Sequence, residues 1–273
     1  MTDQRNQISV RDRERFRDCA LGLADDARRQ LRAFASGGFE VKHKPDGSYV
    51  TSADFQVEQR LRALIERQFP DHGIVGEEFP ARAPTAEFQW ILDPVDGTED
   101  FVQRIPTFGS IIALHYRGEP LAGVIEMPML DSRVYATFGF GAFHNAERVQ
   151  LADLDTGVSP AQVRLMLSAR TNFVRYRDDG ALFDRVTHAY PNHRIYRTCY
   201  AHLCAVTGQV DATIDYGNRI WALAASRILI EEAGGTYHAL PELPTPTGPV
   251  FSAVFGKPTL VAKLATLLVT SSD

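Results

Sequence analysis

The sequence predicts an α/β protein with an N-terminal half of α+β character. Three observations predict it. Two amphipathic helical patterns open the chain, over about residues 9–34 and 51–69. A run of strand patterns follows between residues 74 and 137. Beyond a polar stretch at 153–160, strand and helix patterns alternate, the order expected of strands joined by crossover helices. At 273 residues the chain can bury one or two sizeable cores. We divide it into halves 1–155 and 156–273 at the polar stretch, which carries Gly157 and Pro160. A hydrophobic fraction of 44% and a charged fraction of 23% are those of an ordinary globular protein.

In order, the first helix is marked by Phe16, Ala20, Leu23, Ala27, Leu31 and Phe34, whose spacings of three and four share one face. Ser36-Gly37-Gly38 ends it. A strand over 39–42 leads into the loop Lys44-Pro45-Asp46-Gly47-Ser48. Thr51 then opens the second helix, with Val57, Leu61, Leu64 and Ile65 as its stripe and Pro70 past its end. Ile74 to Gly76 is a short strand that delivers Glu77 and Glu78, and 79–87 is a surface loop. Trp90-Ile91-Leu92 is a buried strand that breaks at Pro94 and Gly97. Strands at 109–116 and 121–127 flank the turn composition Arg117-Gly118-Glu119-Pro120, and 133–137 is a third strand. Gly139-Phe140-Gly141 lacks the third glycine of a nucleotide loop and reads as a turn. The second half reads as strand 163–168, helix 182–188, strand 193–196, helix 201–208, strand 211–215, one helix 219–233, and strands 235–239 and 250–255. Pro258 opens a last helix.

Several function classes are set aside. A net charge of −5 offers no basic footprint for nucleic acid. No stretch is long and apolar enough to span a bilayer, and the first residues lack the apolar core of a signal peptide. Cys19, Cys199 and Cys204 form no paired motif, which leads us to expect free thiols and a cytoplasmic protein. There is no histidine pair at zinc spacing, no P-loop and no GxSxG elbow. Cys199 near His202 reads as inert packing rather than a thiol nucleophile.

The chemistry concentrates in Asp93-Pro94-Val95-Asp96-Gly97-Thr98. Two carboxylates, the Val95 carbonyl and the Thr98 hydroxyl are the oxygen donors that hard cations such as Mg²⁺ take. Alone, such an Asp-Pro and Asp-Gly pair is more often a plain turn. The strand before it, Thr98 after it and Glu77-Glu78 upstream shift the balance to a metal site. Asp54, three residues after Thr51, reads alone as the acid of a capping box.

This motif, with Phe101 and Pro106 after it, resembles the signature of the inositol monophosphatase family of Mg²⁺-dependent phosphatases. Gly76-Glu77-Glu78, the segment from Lys44 through Ser48 to Val50-Thr51 and Ala53-Asp54, and Glu232-Ala233-Gly234-Gly235 resemble its other motifs in the family order. The resemblance implies a layered αβαβα sandwich with the metal site between the halves, and hydrolysis of a small phosphorylated alcohol. It implies that Glu77, Asp93 and the Val95 carbonyl hold one Mg²⁺, and that Asp93 and Asp96 share a second. It further implies that Glu77 and Thr98 order the attacking water with Asp54 behind them. Gly97 and Thr98 would receive the phosphate, and Asp215 would contact the substrate's hydroxyl or amine. A small phosphorylated metabolite as partner and a homodimer are implied as well. The chain looks most like the histidinol-phosphatase branch, through Thr107-Phe108-Gly109, Gly123-Val124-Ile125 and Cys199-Tyr200-Ala201, with inositol monophosphate as the other candidate substrate. Two departures stand out. Tyr196-Arg197-Thr198 replaces that branch's Gly-Gly-Asp, and Ala222 follows Trp221 where the family has a metal-binding Asp. The lost ligand motivates an alternative: a catalytically weak, ligand-binding or regulatory protein on the phosphatase scaffold.

Overall fold

Ser9 starts the first long element of the computed structural model, which describes residues 3–44 and 47–269. Pro45 and Asp46 of the expected motif loop lie outside the described residues. The Ser9 side chain accepts the Asp12 N–H, and α1 (Val10–Gly37) buries the stripe from Phe16 to Leu31. The short hairpin β1 (Val41–His43) and β2 (Tyr49–Thr51) carries the chain to α2 (Ser52–Gln68). β3 (Gly73–Gly76) and β4 (Phe88–Asp96) pair in parallel. After the one-and-a-half-turn helix α3 (Thr98–Gln103), the chain meanders through β5 (Gly109–Tyr116), β6 (Glu119–Met127), β7 (Ser132–Thr137), β8 (Gly141–His144) and β9 (Glu147–Val149). These seven strands lie in sequence order, antiparallel from β4 onward. At the β5–β6 turn, Arg117 and Gly118 have φ of 50° and 83°. Two left-handed residues match the twist of the flanking strands.

The second half contains β10 (Leu165–Leu167), α4 (Arg170–Tyr176), α5 (Ala181–Ala189), β11 (His193–Ile195), α6 (Cys199–Val206) and β12 (Ala212–Asn218). Then follow α7 (Ile220–Leu223), α8 (Ser226–Glu232), β13 (Thr236–Ala239), β14 (Phe251–Gly256) and α9 (Pro258–Val269). Its sheet has the order β11-β10-β12-β14-β13, parallel among the first three strands.

Three apolar cores separate five layers. α1 and α2 cover one face of the seven-stranded sheet through Leu23, Ala27, Leu61 and Ile65 against Trp90, Leu92, Ile112 and Leu114. Alternate residues of the same strands, such as Ile91, Ile111 and Ile125, face α6 and α8, and Met166, Ala253 and Phe255 of the second sheet close that core from the other side. Beyond the second sheet, α4, α5 and α9 bury Phe173, Leu182, Val186 and Leu264. This is the αβαβα order. Strands whose two faces both meet helices are apolar throughout, which is why β5 and β6 read as continuous hydrophobic runs.

Two readings need correction. The central strand does not break at Pro94. β4 continues to Asp96, and its pairing with β5 slips between Asp93 and Asp96, a bulge that a residue without an N–H tolerates. The Pro94 carbonyl, out of the ladder, accepts the Ser110 hydroxyl at 2.6 Å. The helix expected over 219–233 is two helices, with the Ala224 carbonyl at the joint accepting the His115 Nε2–H at 3.0 Å. The seven-residue α4, with Phe173 its one buried residue, is too short and polar to show a period.

Candidate active site

The bulge aims the end of β4 at one place. Asp93 is buried, and its Oδ1 has no hydrogen-bond partner among the described residues. The next carbonyl, Val95, accepts the Thr98 hydroxyl at 3.0 Å. Asp96 Oδ2 accepts the Cys199 N–H, so the first turn of α6 holds this acid in place. Gly97 sits at φ 83° as the residue before α3. A β-carbon there would stand 2.7 Å from Thr198 Cγ2, so both its backbone and its surroundings demand glycine.

From the other side comes the start of α2. Thr51 and Asp54 form a complete capping box: the Thr51 N–H and hydroxyl donate to Asp54 Oδ2 at 2.7 and 2.6 Å. The remaining oxygen, Oδ1, lies 3.2 Å from the Thr98 hydroxyl. Capping and site placement are therefore one arrangement, with one oxygen for each.

Glu77 and Glu78 leave β3 toward the same place. Lys44 Nζ donates to Glu77 at 2.6 Å and to Glu78 at 2.8 Å. Behind them Glu58, fully buried on α2, accepts the Glu78 N–H at 2.8 Å and is paired with Arg62 at 2.7 Å. A β-carbon on Gly76 would meet Glu58 Oε1 at 2.1 Å, which explains the glycine before the two acids.

Like charges crowd here. Burial, reinforced by Glu77, Asp96 and Asp54, pushes the Asp93 carboxyl well above the usual range, and only Lys44 opposes it. Burial raises Asp96 to about 6 against the Cys199 N–H and nearby His202. Burial likewise raises Asp54 to about 6 and Glu78 to about 7. Desolvated carboxylates that share too little positive charge favour a proton or a cation. Among the described residues no three His, Cys, Asp or Glu side chains already form a closed ligand set, and Glu77 is turned to Lys44. The unpartnered Asp93 oxygen and the all-oxygen donor set nevertheless fit a hard cation.

Asp215 lies in the interior instead. Its carboxylate accepts Ser168 Oγ at 2.6 Å, His202 Nε2 at 2.8 Å and the Asn218 amide. His202 Nδ1 in turn meets Ser226 Oγ at 2.9 Å. Ala222 is half-buried on α7, which packs against β4. Cys199 donates to Met127 Sδ at 3.3 Å, and burial together with Asp96 pushes its thiol well up; with His202 engaged elsewhere, no thiol nucleophile exists here. Cys19, Cys199 and Cys204 are all free and buried.

A cavity of about 430 Å³ opens beside Glu77 and Thr98, lined also by Gly97, Thr198, Arg175 and Arg197. A larger groove of about 570 Å³, between α1 and the β7–β8 edge, contains no such convergence of acids. Our reading of the motifs left out the support roles of Glu58, Thr198 and the Cys199 N–H. Glu58 alone left a signal, four residues after Asp54 on the same helix face.

With five alternating layers around an acidic centre, and with relatives that are named phosphatases, the chain is a phosphoric monoester hydrolase. More particularly, the chain belongs to the inositol monophosphatase family, whose model matches residues 12–262. It is 32% identical to the histidinol-phosphatase of Mycobacterium tuberculosis over 84% of this chain and 89% of that one. It is 30% identical to the chloroplastic bifunctional phosphatase IMPL2 of Arabidopsis thaliana over 85% of this chain, and spans 66% of that relative's length. Among solved structures, the inositol monophosphatase of Anabaena superposes with a TM-score of 0.78 at 26% identity, covering 94% of this chain and 96% of that one.

Proposed function

We propose that this protein hydrolyses the phosphate monoester of a small alcohol, with Mg²⁺ held by Glu77, Asp93, the Val95 carbonyl and Asp96. The observation that carries this reading is the buried Asp93 with an unsatisfied oxygen among three further acids. When bound, the cation neutralises phosphate charge and lowers the pKa of water. The chain's own residues do the rest. Thr98, shared between Asp54 Oδ1 and the Val95 carbonyl, orients the attacking water, with Glu77 beside it. Gly97 and Thr98 line the pocket, and their N–H groups would receive phosphate oxygens. Water adds to phosphorus as the ester oxygen departs, giving alcohol and inorganic phosphate. Histidinol phosphate and inositol monophosphate are the first substrates to try, and a cytoplasmic homodimer is the proposed setting. No helix among the described residues is long and apolar enough to cross a membrane.

Ala222 favours one second reading, a binding or regulatory protein with little turnover. A screen of small phosphate esters with Mg²⁺ or Mn²⁺, with and without EDTA, separates the two. Metal-dependent phosphate release supports the enzyme. Tight ligand binding without release of phosphate from any ester supports the second reading, and release that ignores EDTA removes the metal from the proposal. Sedimentation at monomer mass would overturn the homodimer.

A further inference from the structure

The cavity beside Glu77 and Thr98 has a wall that the proposed hydrolysis does not use. Arg175 on α4 and Arg197, two residues before α6, line it together with Glu77, Gly97 and Thr98. Arg197 is held there by its neighbour. Thr198 caps α6, donates its hydroxyl to the Thr107 carbonyl at 2.7 Å and packs on Gly97. The acids on this side of the pocket are Glu99 and Asp100, in the first turn of α3. Asp100 is engaged by the Thr107 hydroxyl at 2.6 Å, and Glu99 stands 3.7 Å from Arg197, both side chains more than half exposed. That exposed pair is weak and easily exchanged. Among the described residues Arg175 makes no ion pair; its guanidinium lies 5.8 Å from the Tyr176 ring. Among the described residues, the two guanidinium groups on this side of the pocket therefore meet one loosely paired acid, Glu99.

We propose that Arg175 and Arg197 form a second anion subsite, so that the preferred substrates are phosphomonoesters carrying a further anionic group. The proposal rests on the phosphatase reading for its scissile phosphate, and names the substrate class for that site. Guanidinium groups pair with carboxylate or phosphate through parallel N–H donors. Glu99 releases Arg197 to such a group at little cost, because both partners stay in water.

Two ester pairs test this: 3-phosphoglycerate against glycerol 3-phosphate, and fructose 1,6-bisphosphate against fructose 1-phosphate. The member with the additional anionic group should show kcat/KM at least about tenfold higher, the scale of one charge-assisted contact. In Arg175→Gln/Arg197→Gln that ratio should fall to near one. No preference in the natural protein, or a preference that survives the double variant, overturns the subsite. Binding reads it apart from turnover. Calorimetry with the non-hydrolysable 3-phosphonopropionate and propylphosphonate should show tighter binding of the carboxylate-bearing ligand, lost in the double variant and weakened by salt. Equal binding of the two refutes the subsite even where ester cleavage is robust. Preferential binding with no ester cleaved upholds it while refuting the phosphatase reading.

Discussion

Two buried carboxylates in this molecule, Asp93 and Asp215, have opposite fates. Both are almost inaccessible. Asp215 is surrounded by donors: although burial works against its charge, His202, Ser168 and Asn218 hold its carboxyl below the usual range. Asp93 is surrounded by acids and keeps an oxygen with no donor among the described residues, and burial and repulsion push it up. Burial of an acid is thus no sign of function by itself. The sign is a buried acid for which the described residues supply no partner, a setting in which a cation would be favoured.

The largest expected effect breaks this contrast by substitution. Asp93→Asn should lower phosphate release by about a hundredfold or more, beyond what loss of an outer supporting group causes. The same change should leave metal-free stability equal or raise it, because it removes an unpaired buried charge. Asp215→Ala should do the reverse to stability and cost about 3 kcal/mol, since it strands His202 and Ser168. Urea unfolding of the two variants in EDTA checks the ordering, and equal losses would mean that the two acids are alike.

Titration sharpens the contrast further. Asp54 and Asp96 are raised from 3.8 to about 6, and Glu78 from 4.5 to about 7, so the folded state binds protons more tightly than the unfolded state. Their contribution is most favourable below about pH 4 and is lost as pH rises through 6 to 7. Asp215, lowered, works oppositely, and its contribution is lost only as pH falls below the ordinary carboxylate range. Metal-free protein should therefore melt several degrees lower at pH 7.5 than at pH 5.5, on the scale of about 4 °C per kcal/mol or less for this size. Saturating Mg²⁺ should flatten that profile; an identical slope with and without the cation would show that these acids do not bind it.

Smaller effects come from the supports. Ala222→Asp should tighten Mg²⁺ binding about tenfold and raise the rate at limiting Mg²⁺, the range of a metal-supporting group. Unchanged affinity by calorimetry would mean that Ala222 does not face the cation. Glu58→Gln keeps the shape but weakens the hold on Glu78, and should lower kcat by about tenfold at most, with Mg²⁺ affinity falling in step.

The layers were legible in the sequence where periodicity is strong. The stripes of α1 and α2 and the apolar runs of β5 and β6 are long enough to show a period, whereas α4, β8 and β9 are not. The grouping of acids was legible because each follows a strand end or opens a helix. What no local pattern showed is whether a group is already satisfied. Asp215 and Asp93 look alike in sequence, and only the fold reveals that His202, thirteen positions from Asp215, turns back to meet it. Pro94 misled for a related reason: its missing N–H reads as a break, but a bulge needs none.

The Lys44 ammonium bridging Glu77 and Glu78 has a consequence for how the protein would take up the proposed cation. A divalent ion that takes Glu77 must evict a monovalent one, so loading is an exchange rather than an addition, and its apparent affinity carries the strength of the bond it replaces. The displaced ammonium would stay near, because Lys44 follows β1 directly and sits against Glu77, which lines the pocket. Reciprocity then links the two sites: whatever anion engages the freed Lys44 helps to keep the divalent ion in, and the divalent ion keeps Lys44 free for that anion.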